Sequence, residues 1–218
     1  MNLACTSPTQ RQELRKQLRA RRRQLTAKQQ ALASYQLTQR LMHLPAFIQA
    51  QHLAVYLAQD GELDTRTLVD AALALNKKVY LPVLHPRIPR LLWWVRWQPG
   101  KTPMQTNRFG ILEPCLQGYG AHKHQRRPSW ALDLVCLPLV GFDAQGQRLG
   151  MGGGFYDRSF SINYPRPRRP YLLGLAHECQ QVDQLPQAAW DVPLNAIQTP
   201  QQLFCSKAGL DQAGYHYA

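Results

Sequence analysis

The sequence predicts an α/β fold: a single-domain, three-layer αβα sandwich with helices on both faces of a largely parallel sheet. Three observations point there. Strand-like apolar runs alternate with stretches of helical composition, the order that builds a sheet covered on both faces. Residues 132–140, broken only by Asp133 and Pro138, form a continuous apolar run with β-branched Val135 and Val140. Such a run reads as a strand buried on both faces. A length of 218 residues suits one domain with a sizeable core, and no internal repeat or low-complexity segment interrupts it.

The elements run in order along the chain. Residues 11–24 have helix-forming composition, with Leu14 and Leu18 four apart on one face. Thr26 is the N-cap of a second helix, from Ala27 to about His43, which ends before Pro45. Residues 52–58 read as a strand, followed by a turn at Asp60-Gly61, with Asp64 capping a helix over 65–75. Residues 78–84 and 91–97 are two more strands, joined by the proline-rich 85–90. Trp93, Trp94 and Trp97 read as core or edge packing.

The polar stretch 117–129 holds His122 and His124 around Lys123, and without further ligands it reads as a solvated loop. A helix starts at Tyr156 and reaches Ser161, an extended arginine-bearing linker covers 164–170, and strands follow at 171–176 and 196–198. The domain is set at 11–204, with a flexible N-terminus (1–10) and a loose tail (205–218).

The chemistry concentrates after the central apolar run. Gly150, Gly152, Gly153 and Gly154 place four glycines in five positions, beside Arg148, Tyr156, Asp157 and Arg158. The N–H groups of such a loop can ring phosphate oxygens, and Asp157 can hold a hard cation such as Mg²⁺. Two familiar motifs are excluded. G-x-G-x-x-G needs glycine at 155, where Phe155 stands, and a P-loop needs Gly-Lys-Ser/Thr. The glycines alone also fit a turn for tight strand–helix packing.

Composition narrows the setting. No apolar run approaches the roughly 20 residues of a membrane span, and the N-terminus lacks the apolar core of a signal peptide. Cys5, Cys115, Cys136, Cys179 and Cys205 are scattered, odd in number and without C-x-x-C spacing. That argues against a disulfide framework or zinc site and for a reducing cytoplasm. The net charge of +13 is local in large part: Arg11, Arg15, Lys16, Arg19, Arg21, Arg22 and Arg23 stand against Glu13. Lys123, Arg126 and Arg127, then Arg166, Arg168 and Arg169, form smaller clusters. Such charge serves as a solvated surface, or it meets nucleic acid or acidic small ligands.

The string 146–158, G-x-R-L-G-M-G-G-G-F-Y-D-R after L-P-L-V-G-F-D, resembles the signature of the 5-formyltetrahydrofolate cyclo-ligase family (5,10-methenyltetrahydrofolate synthetases). The resemblance extends over about 11–203. It implies an α/β fold, ATP as co-substrate, Mg²⁺, and 5-formyltetrahydrofolate, including polyglutamylated forms, as substrate. Arg11, Leu14 and Arg15 match a K-x-x-L-R-like motif that reaches ATP, with Arg11 in place of the usual Lys. The ATP site it implies adds Arg148, Leu149, Gly150, Met151, Gly152, Gly153, Gly154, Phe155 and Tyr156. The folate site takes Leu57, Glu62 and Phe109, together with Met151, Gly152, Gly153, Gly154 and Phe155.

Glu62 can accept parallel hydrogen bonds from a pterin amino group and ring N–H; on local grounds alone it belongs to a turn. Phe109 lies in 106–114, which resembles the family's N-x-x-G-I-x-E-P segment, at the position of an aromatic that stacks on folate. Asp157 and Asp191 are the implied metal carboxylates, and Asn195 replaces a second Asp of many relatives. Arg148, Tyr156 and Asp157 are the implied catalytic group. The implied location is the cytoplasm, with no membrane partner, and a monomer is expected. Two rival classes remain from the residues alone. One is a basic nucleic-acid-binding protein using residues 11–23, which lacks a recognition module. The other is a sugar-phosphate isomerase or transferase on a similar sheet.

Overall fold

The computed structural model describes residues 8–116, 125–161, 169–185 and 191–206. His122, Lys123, His124, Arg166, Arg168, Trp190 and most of the proposed tail lie outside the described residues.

Helix α1 (Pro8–Arg23) is followed by α2 (Ala27–Met42), α3 (Pro45–Gln49), strand β1 (His52–Ala54) and α4 (Arg66–Ala74). Then come β2 (Lys78–Leu84), β3 (Leu92–Arg96), the hairpin β4 (Met104–Thr106) and β5 (Leu112–Pro114), and β6 (Arg126–Arg127). The central motif forms β7 (Leu134–Pro138), the hairpin β8 (Gly141–Phe142) and β9 (Arg148–Leu149), and α5 (Phe155–Phe160). Last are β10 (Tyr171–Leu175), β11 (Ala196–Gln198) and β12 (Leu203–Cys205).

Eight strands make the main sheet, in the order β12-β11-β10-β7-β1-β2-β3-β6. The five from β11 to β2 are parallel; β12 pairs antiparallel with β11, β3 with β2, and β6 with β3. No helix among the described residues is long and apolar enough to cross a membrane.

The apolar run behaves as a doubly covered strand. Leu134, Val135, Cys136 and Leu137 are all buried, and successive side chains must point to opposite faces. Leu134 and Cys136 join a core with Leu37 and Leu41 of α2 and Leu68, Val69 and Ala72 of α4. Val135 and Leu137 join the opposite core, with Trp94, Phe142 and Phe160 of α5. The sandwich is unequal, because α5 is only six residues long. Loop residues such as Leu132, Val192 and Leu194 fill much of the second face. Thr26 caps α2 through a reciprocal capping box with Gln29, as its spacing predicts.

Several boundaries differ from expectation. The strand predicted over 52–58 stops at Ala54, because the chain peels away at Tyr56. There the Thr65 hydroxyl donates to the Tyr56 carbonyl at 2.6 Å, and the Tyr56 hydroxyl donates to the Leu63 carbonyl at 2.9 Å. The N-cap of α4 is Thr65 rather than Asp64, although Asp64 Oδ1 does accept the Arg66 N–H at 2.9 Å. Helix α1 begins at Pro8, ahead of the predicted 11. At the other end, Cys205 belongs to β12 and Ser206 is buried, so the ordered chain continues past the predicted 204.

Connections fan out in opposite directions from the β1–β7 boundary. β1 leads through α4 to β2 on one side, and β7 leads through α5 to β10 on the other. In an open α/β sheet this divergence leaves a crevice at the carboxyl ends of the strands.

Gly174 in β10 tests how closely the core is filled. A Cβ there would stand 2.7 Å from Leu139 Cδ2 and 2.8 Å from Leu194 Cδ1. Gly174→Ala should therefore destabilise the protein by about 1–3 kcal/mol through overpacking, read as a lower urea midpoint with an unchanged slope.

Candidate active site

The crevice is occupied by a cleft of about 2180 Å³. Its floor is built from the carboxyl ends of parallel strands and the residues just beyond them: Tyr56 and Leu57 after β1, Pro82 and Leu84 in β2, Pro138 and Leu139 at β7. Nearly all of the sequence-predicted site residues line it. Arg11, Arg15, Leu57, Glu62, Phe109, Arg148, Gly150, Met151, Gly152, Gly153, Gly154, Phe155, Tyr156, Asp157 and Asp191 all face this one space. Leu149 does not. It alternates inward from the β8–β9 hairpin and packs, fully buried, with Leu18, Val140 and Leu185.

Helix α1 forms one wall. Leu18 anchors it so closely on the hairpin that a Cβ at Gly141 would lie 2.4 Å from Leu18 Cδ1. Its inward face then carries Arg11, Arg15 and Arg22, at spacings of four and seven. Arg15 Nε donates to the Gly150 carbonyl at 2.8 Å, and Arg11 pairs with Asp191 at 3.3 Å. Burial, then the charge of Arg11, pushes the Arg15 pKa down, while Asp191 opposes the shift. Arg19 and Arg23 pair with Asp60. The basic run is thus largely folded onto the protein, with only Lys16 and Arg21 of its cations left exposed and unpaired by these carboxylates. Of the alternatives open for this run, the pairings disfavour a wholly solvated surface.

The glycine loop closes the near end. Gly152 (φ 90°) and Gly154 (φ 65°) adopt the left-handed conformation that glycine tolerates, whereas Gly153 does not. Gly153 is crowded instead, since a Cβ there would lie 2.8 Å from the Phe155 ring. Arg148, almost buried, pairs with Asp157, whose Oδ1 also accepts the Val192 N–H at 3.1 Å. Arg148 Nε is buried without a hydrogen-bond partner. Burial first, and then the Glu62 charge, pushes the Tyr156 hydroxyl far above its ordinary value, so it stays protonated.

The far end carries the predicted folate residues. The exposed Phe109 stands edge-on to Phe155 at 5.7 Å between centroids. Its loop is set by the Asn and Glu of the N-x-x-G-I-x-E-P segment, to which the sequence alone assigns no role. Asn107 Oδ1 accepts the N–H groups of Phe109 and Ile111, and its Nδ2 donates to the buried Glu113. Glu113 also accepts the Leu84 N–H at 3.1 Å, which ties this hairpin to β2. Glu62 Oε2 accepts the Gln59 N–H at 3.0 Å, and Oε1 lies 3.7 Å from Arg22 Nη2.

Asp60 is the turn residue that its sequence context predicts, with φ 53° beside Gly61 at 78°. It is also the shared partner of Arg19, Arg22 and Arg23. No local signal marks that role, because its partners stand 37 to 41 residues away.

Among the described residues no three His, Cys, Asp or Glu side chains gather into a metal cage. Asp157 and Asp191 open onto the cleft and are each held by an arginine. Mg²⁺ commonly takes one or two carboxylates plus substrate phosphates, so this pair fits a cation that arrives with a nucleotide. Asn195 is excluded from that role. It is buried, and its Oδ1 accepts the Leu172 N–H at 2.7 Å.

A crevice at the switch point of an α/β sheet, with a glycine loop, inward arginines and paired carboxylates, defines an enzyme of small anionic substrates. Similarity to known proteins specifies which. The model of the 5-formyltetrahydrofolate cyclo-ligase family matches residues 7–200. The 5-formyltetrahydrofolate cyclo-ligase of Haemophilus influenzae is 44% identical over 184 residues, 84% of this chain and 94% of the relative. That of Escherichia coli K12 is 41% identical over 187 residues, 86% and 98% of the two chains. The solved 5,10-methenyltetrahydrofolate synthetase of Aquifex aeolicus superposes with a TM-score of 0.74 at 27% identity, covering 90% of this chain and 93% of that one. The fold is shared also with the synthetase of Mycoplasma pneumoniae, at a TM-score of 0.61. The chain belongs to the 5-formyltetrahydrofolate cyclo-ligase family.

Asp60 yields a prediction on stability. Burial alone would raise its carboxyl, but hydrogen bonds from Arg23 and Arg19 outweigh this and hold it below the ordinary value. A depressed folded-state pKa adds stability above the unfolded value of about 3.9, which is lost as pH falls through the folded value. Asp60→Asn should cost about 1–3 kcal/mol at neutral pH. The gap from the unmodified protein should close below about pH 4. Urea unfolding at neutral and acid pH checks both.

Proposed function

We propose that this cleft closes 5-formyltetrahydrofolate to 5,10-methenyltetrahydrofolate at the expense of ATP, releasing ADP and phosphate. What supports the reading most is that two groups of residues share one space. Glycines and arginines suited to phosphates line the same cleft as a carboxylate and an aromatic suited to a pterin. The formyl oxygen attacks the γ-phosphorus, and ADP leaves with the bridging oxygen. N10 then attacks the activated formyl carbon and loses its proton. Phosphate departs with the C–O bonding pair, leaving the N5–C–N10 methenyl bridge. ATP is needed because an amide-like oxygen leaves poorly and a phosphate leaves well.

Each residue has a plain task in this scheme. Phosphoryl transfer demands chiefly positioning and charge neutralisation. The Gly152–Gly154 N–H groups and Arg11, Arg15 and Arg148 supply both to the phosphates. Tyr156, held protonated, donates. Mg²⁺, held by Asp157 and Asp191 with the nucleotide, would add neutralising charge. Glu62 accepts from the pterin, and Phe109 with Phe155 stacks on its rings. Free Cys115, Cys136, Cys179 and Cys205 fit a reducing compartment, and we assign the protein to the cytoplasm.

Two results test this. Purified protein should consume 5-formyltetrahydrofolate only with MgATP present, with 5,10-methenyltetrahydrofolate formed; no turnover under those conditions removes the proposal. The two ends should also separate. Asp157→Asn, which keeps the side chain's shape and removes its charge, should weaken nucleotide and spare folate. Glu62→Gln should do the reverse, by roughly ten- to hundredfold. Calorimetric titration with each ligand alone shows the pattern.

A further inference from the structure

Arg22 lies outside every motif that marks the site, yet it is the most deeply committed side chain there. It is 0% exposed. Nε donates to the Asp60 carbonyl at 2.8 Å, Nη1 to the Leu139 carbonyl at 3.3 Å, and Nη2 to Asp60 Oδ2 at 3.0 Å. The same Nη2 faces Glu62 Oε1 at 3.7 Å. The α1 backbone is pressed against the Asp60-Gly61 turn as well, with a Gly61 Cβ position only 3.3 Å from the Arg22 carbonyl oxygen. The cation therefore cannot swing away from Glu62 without breaking three hydrogen bonds in a dry site, where unpaired charge is costly.

We propose that Arg22, locked by Asp60, is a positioning residue that keeps the Glu62 carboxylate ionised and turned into the cleft to receive the pterin. This rests on the assignment of Glu62 to folate. The chemistry follows from donor and acceptor types. A pterin presents its amino group and ring N–H as donors, and an ionised carboxylate only accepts. A protonated Glu62 would set an O–H against those donors and lose a bond.

The surroundings make protonation a real competitor. Burial raises the Glu62 pKa, and Arg22 is the strongest opposing influence. Asp60 adds to the rise, while the Gln59 N–H and Arg19 work against it. The other groups facing this carboxylate are Tyr56 from the β1 side and Tyr156 from α5, both pushed upward by burial and so neutral. His177 sits behind Gly61 and near Arg22, with its pKa lowered chiefly by burial. Its shift is downward from the ordinary value of about 6.5 while that of Glu62 is upward, so the two groups move in opposite directions.

The test compares Arg22→Met, Arg22→Lys, Glu62→Gln and the Met/Gln double variant from about pH 6.5 to about pH 9. Arg22→Met should raise the KM for 5-formyltetrahydrofolate on the order of tenfold at the acid end. That loss should shrink at the alkaline end as Glu62 ionises, with the KM for ATP unchanged throughout. Arg22→Lys should retain most of the affinity. In the Glu62→Gln background, Arg22→Met should add no further loss, because the group it acts through is gone. Arg22→Gln, which removes the charge but keeps an amide donor toward Asp60, should shift the profile in the same direction. It also carries the test if Arg22→Met fails to fold.

A loss equal at every pH, or one shared by ATP, would reduce Arg22 to packing and overturn the proposal. If Glu62→Gln leaves folate affinity untouched, the assignment of Glu62 fails instead, and the two outcomes are distinct.

Discussion

A buried guanidinium must be satisfied, and the arrangement of this protein depends on how Arg22 meets that demand. An arginine with no exposed surface costs several kcal/mol if left unpaired. Its partners, Asp60 and the Leu139 carbonyl, come after β1 and β7, the two strands on either side of the switch point. One side chain thus ties α1 to both lips of the crevice. Leu18 fixes the same helix a turn away by packing on the β8–β9 hairpin. The hydrophobic contact brings the helix close, and the hydrogen bonds set its register. Together they turn a sheet end into a walled cleft.

That origin explains how much of the fold is legible in the sequence. Strands β2, β7, β10 and β11 are legible because each buries a run of consecutive apolar residues. Helix α2 is legible because its cap chemistry lies within four residues. The hairpins β4–β5 and β8–β9 have strands of two or three residues, too short for any periodicity to register. Strand β1 is shorter than its composition suggests, because residues 56–58 remain largely apolar after they leave the sheet. Their burial is against the cleft floor and α4 rather than in a ladder.

The site shows the same division between local and tertiary information. The glycine loop is legible because its demand is local: backbone that must approach a ligand needs glycine, and Gly152 and Gly154 have the positive φ to show for it. Leu149 escapes a motif read as a string, which ignores the alternation of a hairpin that turns this one residue inward. The arginines of α1 are the clearest limit. A charge run looks identical whether it is solvated or folded inward. Only Gly150, Asp191 and Asp60, all far along the chain, decide it.

The two ends of the cleft share an electrostatic logic that arises from these pairings. At the glycine end Arg11, Arg15 and Arg148 face Asp157 and Asp191, three cations against two carboxylates. At the Glu62 end Arg19, Arg22 and Arg23 face Asp60 and Glu62, again three against two. Each cluster is nearly self-neutralised, which limits the cost of holding charges with little water around them. The clusters differ in how tightly they are bound. Asp60 and Arg22 are hydrogen-bonded to backbone and to each other, a rigid frame that orients rather than yields. Arg11 and Asp191 meet at 3.3 Å, a longer contact than the 2.7 and 3.0 Å of Arg19 and Arg22 with Asp60. The firmer frame therefore lies at the Glu62 end of the cleft, and the looser pairing at the glycine end.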